Sequence, residues 1–290
     1  MTGVYEQIQE KFILKNAWND WQDYRHELTS LVNEYAGGKL AVVGAGRCND
    51  IDLSMLDFDY IELIDVNAGA MRDAIERLPK DVRGKVSVRE LSLTGITEAD
   101  LELFCERILG YTRSKGMELS KDAYETCLNS ELDTLEEKLF DAEKTLSAAL
   151  PEGAYDVVLC SGVCSQLFTM ISFFIRSISQ SVAAQLFPEA VMIGEKAEQR
   201  LRGMNDRAVP LIDRAIISAS KKAAVFGNED PPCDRVEGAY QSIRYLRDNY
   251  KTIERSLQWD FNPANRVRYR MTVQIVLGKS CDLVRDRIAT

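Results

Sequence analysis

The stretch Leu40-Ala-Val-Val-Gly-Ala-Gly-Arg-Cys-Asn-Asp50 decides the fold of this 290-residue chain. Its apolar residues run directly into Gly44-Ala45-Gly46, and Asp65 ends the next apolar run about twenty residues later. Glycines let a backbone turn sharply out of a buried strand and approach a ligand closely. An acid at the end of the second strand can accept a hydrogen bond from a ribose hydroxyl. The pattern predicts an α/β protein with a nucleotide-shaped site.

Hydrophobic patterning along the rest of the chain predicts the sheet that this loop requires. Strands are predicted at 39–43, 60–64, 86–91, 155–160, 223–226, 253–261 and 267–277. The first five alternate with helices, which implies parallel crossovers, whereas the short turn at 262–265 implies an antiparallel hairpin. The predicted fold class is α/β: a Rossmann-like, seven-stranded, mostly parallel sheet with an antiparallel last strand and helices on both faces.

Additional helical segments are predicted around this sheet. Apolar residues recur at helical spacing over 4–36, so 1–38 is predicted as an N-terminal helical lid or cap on an α/β domain of 39–290. Residues 96–150 are predicted as a helical insertion. Its heptad-like stripe, which begins at Leu128, is expected to pack on the domain rather than form a free coiled coil. After the glycine loop, Asn49, Asp50 and Asp52 are candidate caps for a short helix at 53–56.

Charge and composition exclude several classes of function. A formal net charge of −9 disfavours a nucleic-acid partner. The longest apolar region, 167–193, is interrupted by polar residues and predicts buried helix, not a membrane span. Seven cysteines without a Cys-x-x-Cys pair indicate reduced thiols, so a cytoplasmic location is expected, and His26 is the only histidine. No metal site is predicted, and a homo-oligomer is compatible with the sequence.

The predicted strand order, together with Val43-Gly44-Ala45-Gly46, Asp65, Leu91-Ser92-Leu93 and Asp156-Val-Val-Leu-Cys-Ser161, resembles the class I S-adenosylmethionine-dependent methyltransferases. The resemblance covers nearly the whole chain apart from the N-terminal helices and the insertion. It implies that S-adenosylmethionine is the cofactor, with its methionine part at the glycine loop, its ribose at the acid and its adenine after the third strand. The cofactor-binding residues implied in this way are Gly44, Ala45, Gly46, Asn49, Asp50, Asp65, Val66, Leu91, Ser92, Leu93, Ser161 and Gly162.

The resemblance places the methyl acceptor beyond the fourth strand. Gln166 lies just past that strand, and the N-terminal helical unit is predicted to contribute Trp21 and Tyr24 to the acceptor pocket. The acceptor is predicted to be a small molecule, with a protein acceptor left open. Methyl transfer from a sulfonium depends mainly on alignment, and a base is needed only when the acceptor must lose a proton. No catalytic residue is therefore assigned.

Two other functions stay open. Val42, Cys48 and Ser92 stand where many members of that family have an acid, a glycine and a second acid, so one alternative is a methyltransferase-like binding protein without turnover. The other is an NAD-dependent oxidoreductase, which shares the glycine loop and the acid. Its fingerprint requires a third glycine three residues after the second, where Asn49 stands. The predicted terminal hairpin also argues against it.

Overall fold

A seven-stranded mixed sheet organises the chain. The computed structural model describes residues 7, 13–186, 195–230 and 238–278. The strands are β1 (Lys39–Val43), β2 (Tyr60–Asp65), β3 (Val86–Glu90), β4 (Tyr155–Ser161), β5 (Ser220–Asp230), β6 (Thr252–Asn262) and β7 (Val267–Leu277). They lie in the order β3-β2-β1-β4-β5-β7-β6, and β7 runs antiparallel to both of its neighbours. The predicted fold class is confirmed.

Helices pack on both faces of this sheet. They are α1 (Ala17–Asp20), α2 (Gln22–Asn33), α3 (Ala68–Glu76), α4 (Lys80–Arg83), α5 (Glu98–Lys115), α6 (Lys121–Ala149), α7 (Thr169–Leu186), α8 (Glu195–Ala219) and α9 (Gly238–Asn249). Short 3₁₀ turns occupy Gly116–Glu118 and Pro263–Asn265. None of the helices in the described part of the chain has the length and hydropathy that crossing a membrane requires.

Side chains of β1 alternate between two hydrophobic cores. Leu40 and Val42 face the core beneath α2 and α3, whereas Ala41 and Val43 face the core beneath α6 and α8. All four are at most 4% exposed. A parallel strand that is buried on both faces is a continuous apolar run in the sequence. This double burial explains why the run before Gly44 predicted the strand correctly.

The insertion at 96–150 forms α5 and α6, which pack over one of these cores instead of extending into solvent. The leucines of the predicted stripe are 0–4% exposed and share that core with Leu201 and Met204 of α8. These leucines are Leu128, Leu132, Leu135, Leu139 and Leu146. The prediction that the stripe packs on the domain is confirmed. The side chain of Ala142, which continues the stripe, lies outside the described residues.

The N-terminal region differs from the continuous helix predicted over 4–36. Residues 1–6 and 8–12 lie outside the described part of the chain, and α1 and α2 are separate helices divided at Trp21. The indole Nε1 of Trp21 donates a hydrogen bond to the Phe261 carbonyl oxygen at 2.9 Å. The break in the helix thus coincides with a residue that is fixed against β6.

The short helix predicted at 53–56 is wrong, since this described stretch contains turns and bends only. Asp52 Oδ1 accepts hydrogen bonds from the Ser54 backbone N–H at 3.0 Å and from the Ser54 hydroxyl at 2.6 Å. Such a local turn competes with helix formation because it satisfies the backbone in another way. The chain therefore passes from the glycine loop to β2 through irregular backbone.

The fifth strand is longer than its apolar run predicted. The prediction covered 223–226, whereas β5 extends over Ser220–Asp230 and pairs with β7 as far as Asp230. Its distal half carries the polar residues Asn228 and Glu229, both of which are buried. Hydrophobic patterning missed this half because polar side chains there are covered by neighbouring elements.

The strand order creates a crevice at the carboxyl edge of the sheet. β1 and β4 are neighbours, but the chain leaves β1 toward β2 and leaves β4 toward β5. The loops that follow the two strands therefore diverge. Open α/β sheets bind their ligands in the crevice at such a point.

Replacing Leu132 with alanine is expected to lower the free energy of unfolding by about 2–5 kcal/mol. Leu132 is fully buried on the core-facing side of α6, so truncation leaves a cavity. Leu103→Ala in α5 is a matched control because Leu103 is 43% exposed, and its effect should stay within about 0.5 kcal/mol. Urea denaturation of both variants measures the difference. Equal losses would contradict the packing of α6 on the core.

Candidate functional site

The loop after β1 adopts a backbone conformation that its glycines permit. Gly44 has φ +68°, Gly46 has φ +47° and Cys48 has φ +49°. The backbone N–H groups of Gly44 and Ala45 donate to the Ile64 carbonyl oxygen at 2.8 and 3.2 Å. A Cβ atom on Gly44 would lie 2.2 Å from Cγ2 of Val163 in the loop after β4. Gly44 thus serves both a left-handed turn and a close contact between two loops.

Asp65 connects the end of β2 to the glycine loop. Its Oδ2 accepts a hydrogen bond from the Gly46 backbone N–H at 2.9 Å, and its Oδ1 accepts one from the Asn67 N–H at 2.8 Å. The N-cap of α3 is Asn67, whose side-chain oxygen accepts a hydrogen bond from the Ala70 N–H at 2.8 Å. Burial raises the pKa of Asp65, although the backbone hydrogen bonds oppose that shift. The Val66 backbone N–H also donates to this carboxylate, which has about four acceptor sites and therefore keeps capacity for a ligand.

A second acid, Asp50, lies at the end of the glycine loop and is connected by a hydrogen bond to Ser161 of β4. Burial raises the pKa of Asp50 to about 6, while a hydrogen bond from the Ser161 hydroxyl and the charge of Arg25 favour the carboxylate. The Ser161 Oγ lies 2.9 Å from the hydroxyl of Tyr24. Since a carboxylate only accepts hydrogen bonds, Tyr24 donates to Ser161 and Ser161 donates to Asp50.

Asn49 is held by two arginines that contact the same indole ring. The Arg77 guanidinium donates to Asn49 Oδ1 at 3.1 Å, and Arg25 donates to the Asn49 carbonyl oxygen at 2.9 Å and to the Trp18 carbonyl oxygen at 2.6 Å. The guanidinium carbons lie 3.7 Å (Arg25) and 4.5 Å (Arg77) from the ring centroid of Trp18. These cation–π contacts fix the N-terminal helices to the loop. The sequence did not indicate this arrangement because its residues lie far apart along the chain.

These loops enclose a cavity of about 680 Å³ at the carboxyl edge of the sheet. It is lined by every residue that the resemblance assigned to the cofactor: Gly44, Ala45, Gly46, Asn49, Asp50, Asp65, Val66, Leu91, Ser92, Leu93, Ser161 and Gly162. The volume is typical of pockets that hold drug-sized ligands. Among the described residues, no group of His, Cys, Asp or Glu side chains is arranged to hold a metal ion.

Of the three residues predicted to contact substrate, two line the cavity and one does not. Trp21 and Gln166 line the cavity, and the Gln166 Nε2 donates to the Gly162 carbonyl oxygen at 2.7 Å. Tyr24 lies behind the cavity wall rather than in it. It is 1% exposed, and its ring stacks on Trp259 with the ring centroids 5.0 Å apart. Tyr24 therefore supports the wall through Ser161 and Trp259.

The strand β6 supplies an aromatic wall to the cavity that the sequence pattern did not indicate. Trp259 and Phe261 line the cavity together with Trp21, and their ring centroids lie 4.8–5.6 Å from one another. Alternation with polar residues identified Trp259 and Phe261 as strand residues. That pattern gives no information on which sheet edge they reach, because this depends on the pairing of β6 with β7.

No protein-family model matches the chain. A nucleotide-binding protein of Nostoc punctiforme is 26% identical over 153 residues, which cover 52% of this chain and 83% of that protein. Among solved structures, the N-methyltransferase NodS from Bradyrhizobium japonicum, in complex with S-adenosylhomocysteine, has a TM-score of 0.47 and 11% identity, with 95% of this chain and 98% of that chain covered. A methyltransferase from Aquifex aeolicus has a TM-score of 0.44 and 10% identity, with 94% and 98% covered.

Gly44→Ala is expected to destabilise the protein by at least about 1–2 kcal/mol, the cost of a left-handed backbone alone, with the contact to Val163 adding to this. Gly84→Ala is the matched control: Gly84 has φ −65°, and beyond its chain neighbours no atom lies within 4 Å of an added Cβ. Chemical denaturation should show the control to be neutral or slightly stabilised. Equal effects of the two substitutions would contradict the loop geometry.

Asp50→Asn is expected to make the protein more stable at pH 8, by roughly 1–3 kcal/mol. Asp50 has a folded pKa of about 6 against an ordinary value of 3.8, so the folded state binds its proton more tightly than the unfolded state does. Stability therefore falls as pH rises from about 4 to about 6, and the loss is complete above that range. Urea denaturation at pH 8 and pH 4 measures the difference, which should nearly vanish at the lower pH. A difference independent of pH would show that Asp50 is not the titrating group.

Proposed function

We propose that this protein is an S-adenosylmethionine-dependent methyltransferase that acts on a small molecule. The observation that carries the proposal is the shared cavity, in which the glycine loop and Asp65 face the same space as Trp21 and Gln166. A nucleoside-type ligand and a second molecule could therefore meet inside one enclosure. The sheet order, with its antiparallel β7, supports the proposal.

The residues that line the cavity fit S-adenosylmethionine. Asp65 would accept hydrogen bonds from the ribose hydroxyls, and the apolar side chains of Leu91, Leu93 and Ile96 would contact the adenine. The glycine loop would lie against the methionine part. When bound, this cofactor supplies an activated methyl group on a sulfonium.

The chain's own contribution to such a reaction is alignment and exclusion of water. Holding two reactants in the right geometry can account for a large part of the barrier reduction. Gln166, which is oriented by its hydrogen bond to Gly162, and the aromatic wall of Trp21, Trp259 and Phe261 would position the acceptor. The N-terminal helices pack against β6 and thereby form one side of the enclosure. We propose that they act as its lid.

The loop geometry argues against a dinucleotide cofactor. In the dinucleotide-binding motif the glycine loop opens directly into a helix, whose N-terminus binds the pyrophosphate. Here the described residues 44–59 contain no helix, and Asn49 is held by Arg77 at the position of the third glycine. A binding protein without turnover is distinguished from the proposed enzyme by the lack of methyl transfer despite cofactor binding.

Asp65→Asn is expected to weaken S-adenosylhomocysteine binding by roughly 10–100-fold, because an amide has one accepting oxygen and its NH₂ would face a backbone N–H. Asp59→Asn is the matched control. Asp59 is exposed near the opposite end of β2, where its carboxylate accepts from the Gly38 N–H at 3.2 Å. Isothermal titration calorimetry measures both affinities. The proposed function fails if the unmodified protein does not bind S-adenosylhomocysteine.

A further inference from the structure

We infer that the methyl acceptor is an amine attached to an apolar or aromatic group, and that the methyl group is transferred to its nitrogen. This inference rests on the proposed function, and it names the class of molecule that the acceptor end of the same cavity would take. Three properties of the cavity carry it: the aromatic surface of its acceptor end, the charge of its whole lining, and the connection between an acid and the aromatic rings.

The first property is the aromatic surface. Trp21 and Trp259 meet edge to face at a centroid distance of 4.8 Å, and Trp21 stacks on Phe261 at 5.6 Å. Met170 and Leu14 also line the cavity. The faces and edges of such rings bind apolar groups, and their π-systems attract ammonium groups.

The second property is the charge of the lining. Among the described lining residues the basic side chain is Arg47, and it lies 3.5 Å from the carboxylate of Asp73, which also lines the cavity. Asp50, Asp65 and Glu98 add further acids. An acceptor with a carboxylate or a phosphate would need a positive charge in the lining. Arg47 supplies one, but its guanidinium already pairs with Asp73. A cationic acceptor is complementary to this lining.

The third property is a connection between Asp50 and the aromatic wall. Asp50 accepts a hydrogen bond from Ser161, Ser161 accepts one from Tyr24, and the Tyr24 ring stacks on Trp259. A Cβ atom added to Gly162 would lie 3.5 Å from Cη2 of Trp259. The Trp259 ring of the aromatic wall therefore also packs directly on the loop after β4. The acid is thus held in place by the same residues that support the aromatic surface.

This arrangement suits the proton balance of nitrogen methylation. The acceptor enters as an ammonium ion, and the Asp50 carboxylate takes one proton, which leaves a neutral amine with a free electron pair. That pair forms the new N–C bond while the C–S bond breaks and its electrons stay on the sulfur. The products are a methylated ammonium ion and S-adenosylhomocysteine. An alcohol acceptor would require a much stronger base than a carboxylate whose pKa is about 6.

The inference is tested with three small probes of similar size: 2-phenylethylamine, 2-phenylethanol and 3-phenylpropanoate. Calorimetry first measures S-adenosylhomocysteine binding, and each probe is then titrated into the protein saturated with S-adenosylhomocysteine. We expect the amine to bind at least about tenfold more tightly than the other two probes. If S-adenosylhomocysteine binds but the amine shows no such preference, including the case in which no probe binds, the inference is overturned and the proposed function stands. If S-adenosylhomocysteine does not bind, the proposed function itself fails.

Two substitutions and one control substitution test whether the preference arises in the cavity. Phe261→Leu should weaken binding of the amine and of the alcohol, whereas Tyr240→Leu, at an exposed ring of α9, should leave both affinities unchanged. Asp50→Asn should reduce the ratio of amine to alcohol affinity while leaving the alcohol affinity nearly constant. An unchanged ratio in Asp50→Asn would overturn the assignment of this acid to the acceptor. Circular dichroism confirms that each variant is folded.

Discussion

The close approach of Gly44 to Val163 is the constraint on which the site depends. A Cβ atom at Gly44 would come within 2.2 Å of Val163, so the loops after β1 and β4 touch at a point where only a glycine fits. This contact keeps the two loops together where the crossovers of their strands diverge. Asp50, in the loop after β1, and Ser161, the last residue of β4, both face the cavity beside this contact. The geometry of the whole enclosure therefore depends on Gly44, a residue that has no side chain.

Around that contact, the cavity holds acids whose burial opposes their ionisation. Asp50 and Asp65 both have raised pKa values because they are buried, and each is held by hydrogen bonds that favour the charged form. Buried acids of this kind cost folding stability, and acids with perturbed pKa values are concentrated at functional sites. The two arginines on Trp18 hold the loop after β1 at Asn49, next to Asp50, against the N-terminal helices. The contacts at Trp18 therefore stabilise the same part of the chain that the buried acids destabilise.

The sequence predicted the part of the site that lies on consecutive residues. Asp65 could be named because an acid at a strand end is a local pattern, whereas Asn49 was implied by the family resemblance. Trp18, Arg25 and Trp259 could not be named, since they reach the site through packing of the N-terminal helices and β6. Tyr24 was placed in the pocket, whereas the structure buries it one layer behind the wall.

The sequence by itself determined the seven strands and the antiparallel hairpin, because double burial and tight turns leave patterns on neighbouring residues. It also determined the glycine loop and its acid. Only the tertiary structure decided that the loop leads to no helix, that β5 continues through buried polar residues, and that the cavity has an aromatic wall. These features depend on contacts between segments that are distant along the chain, and such contacts leave no periodic pattern in the sequence.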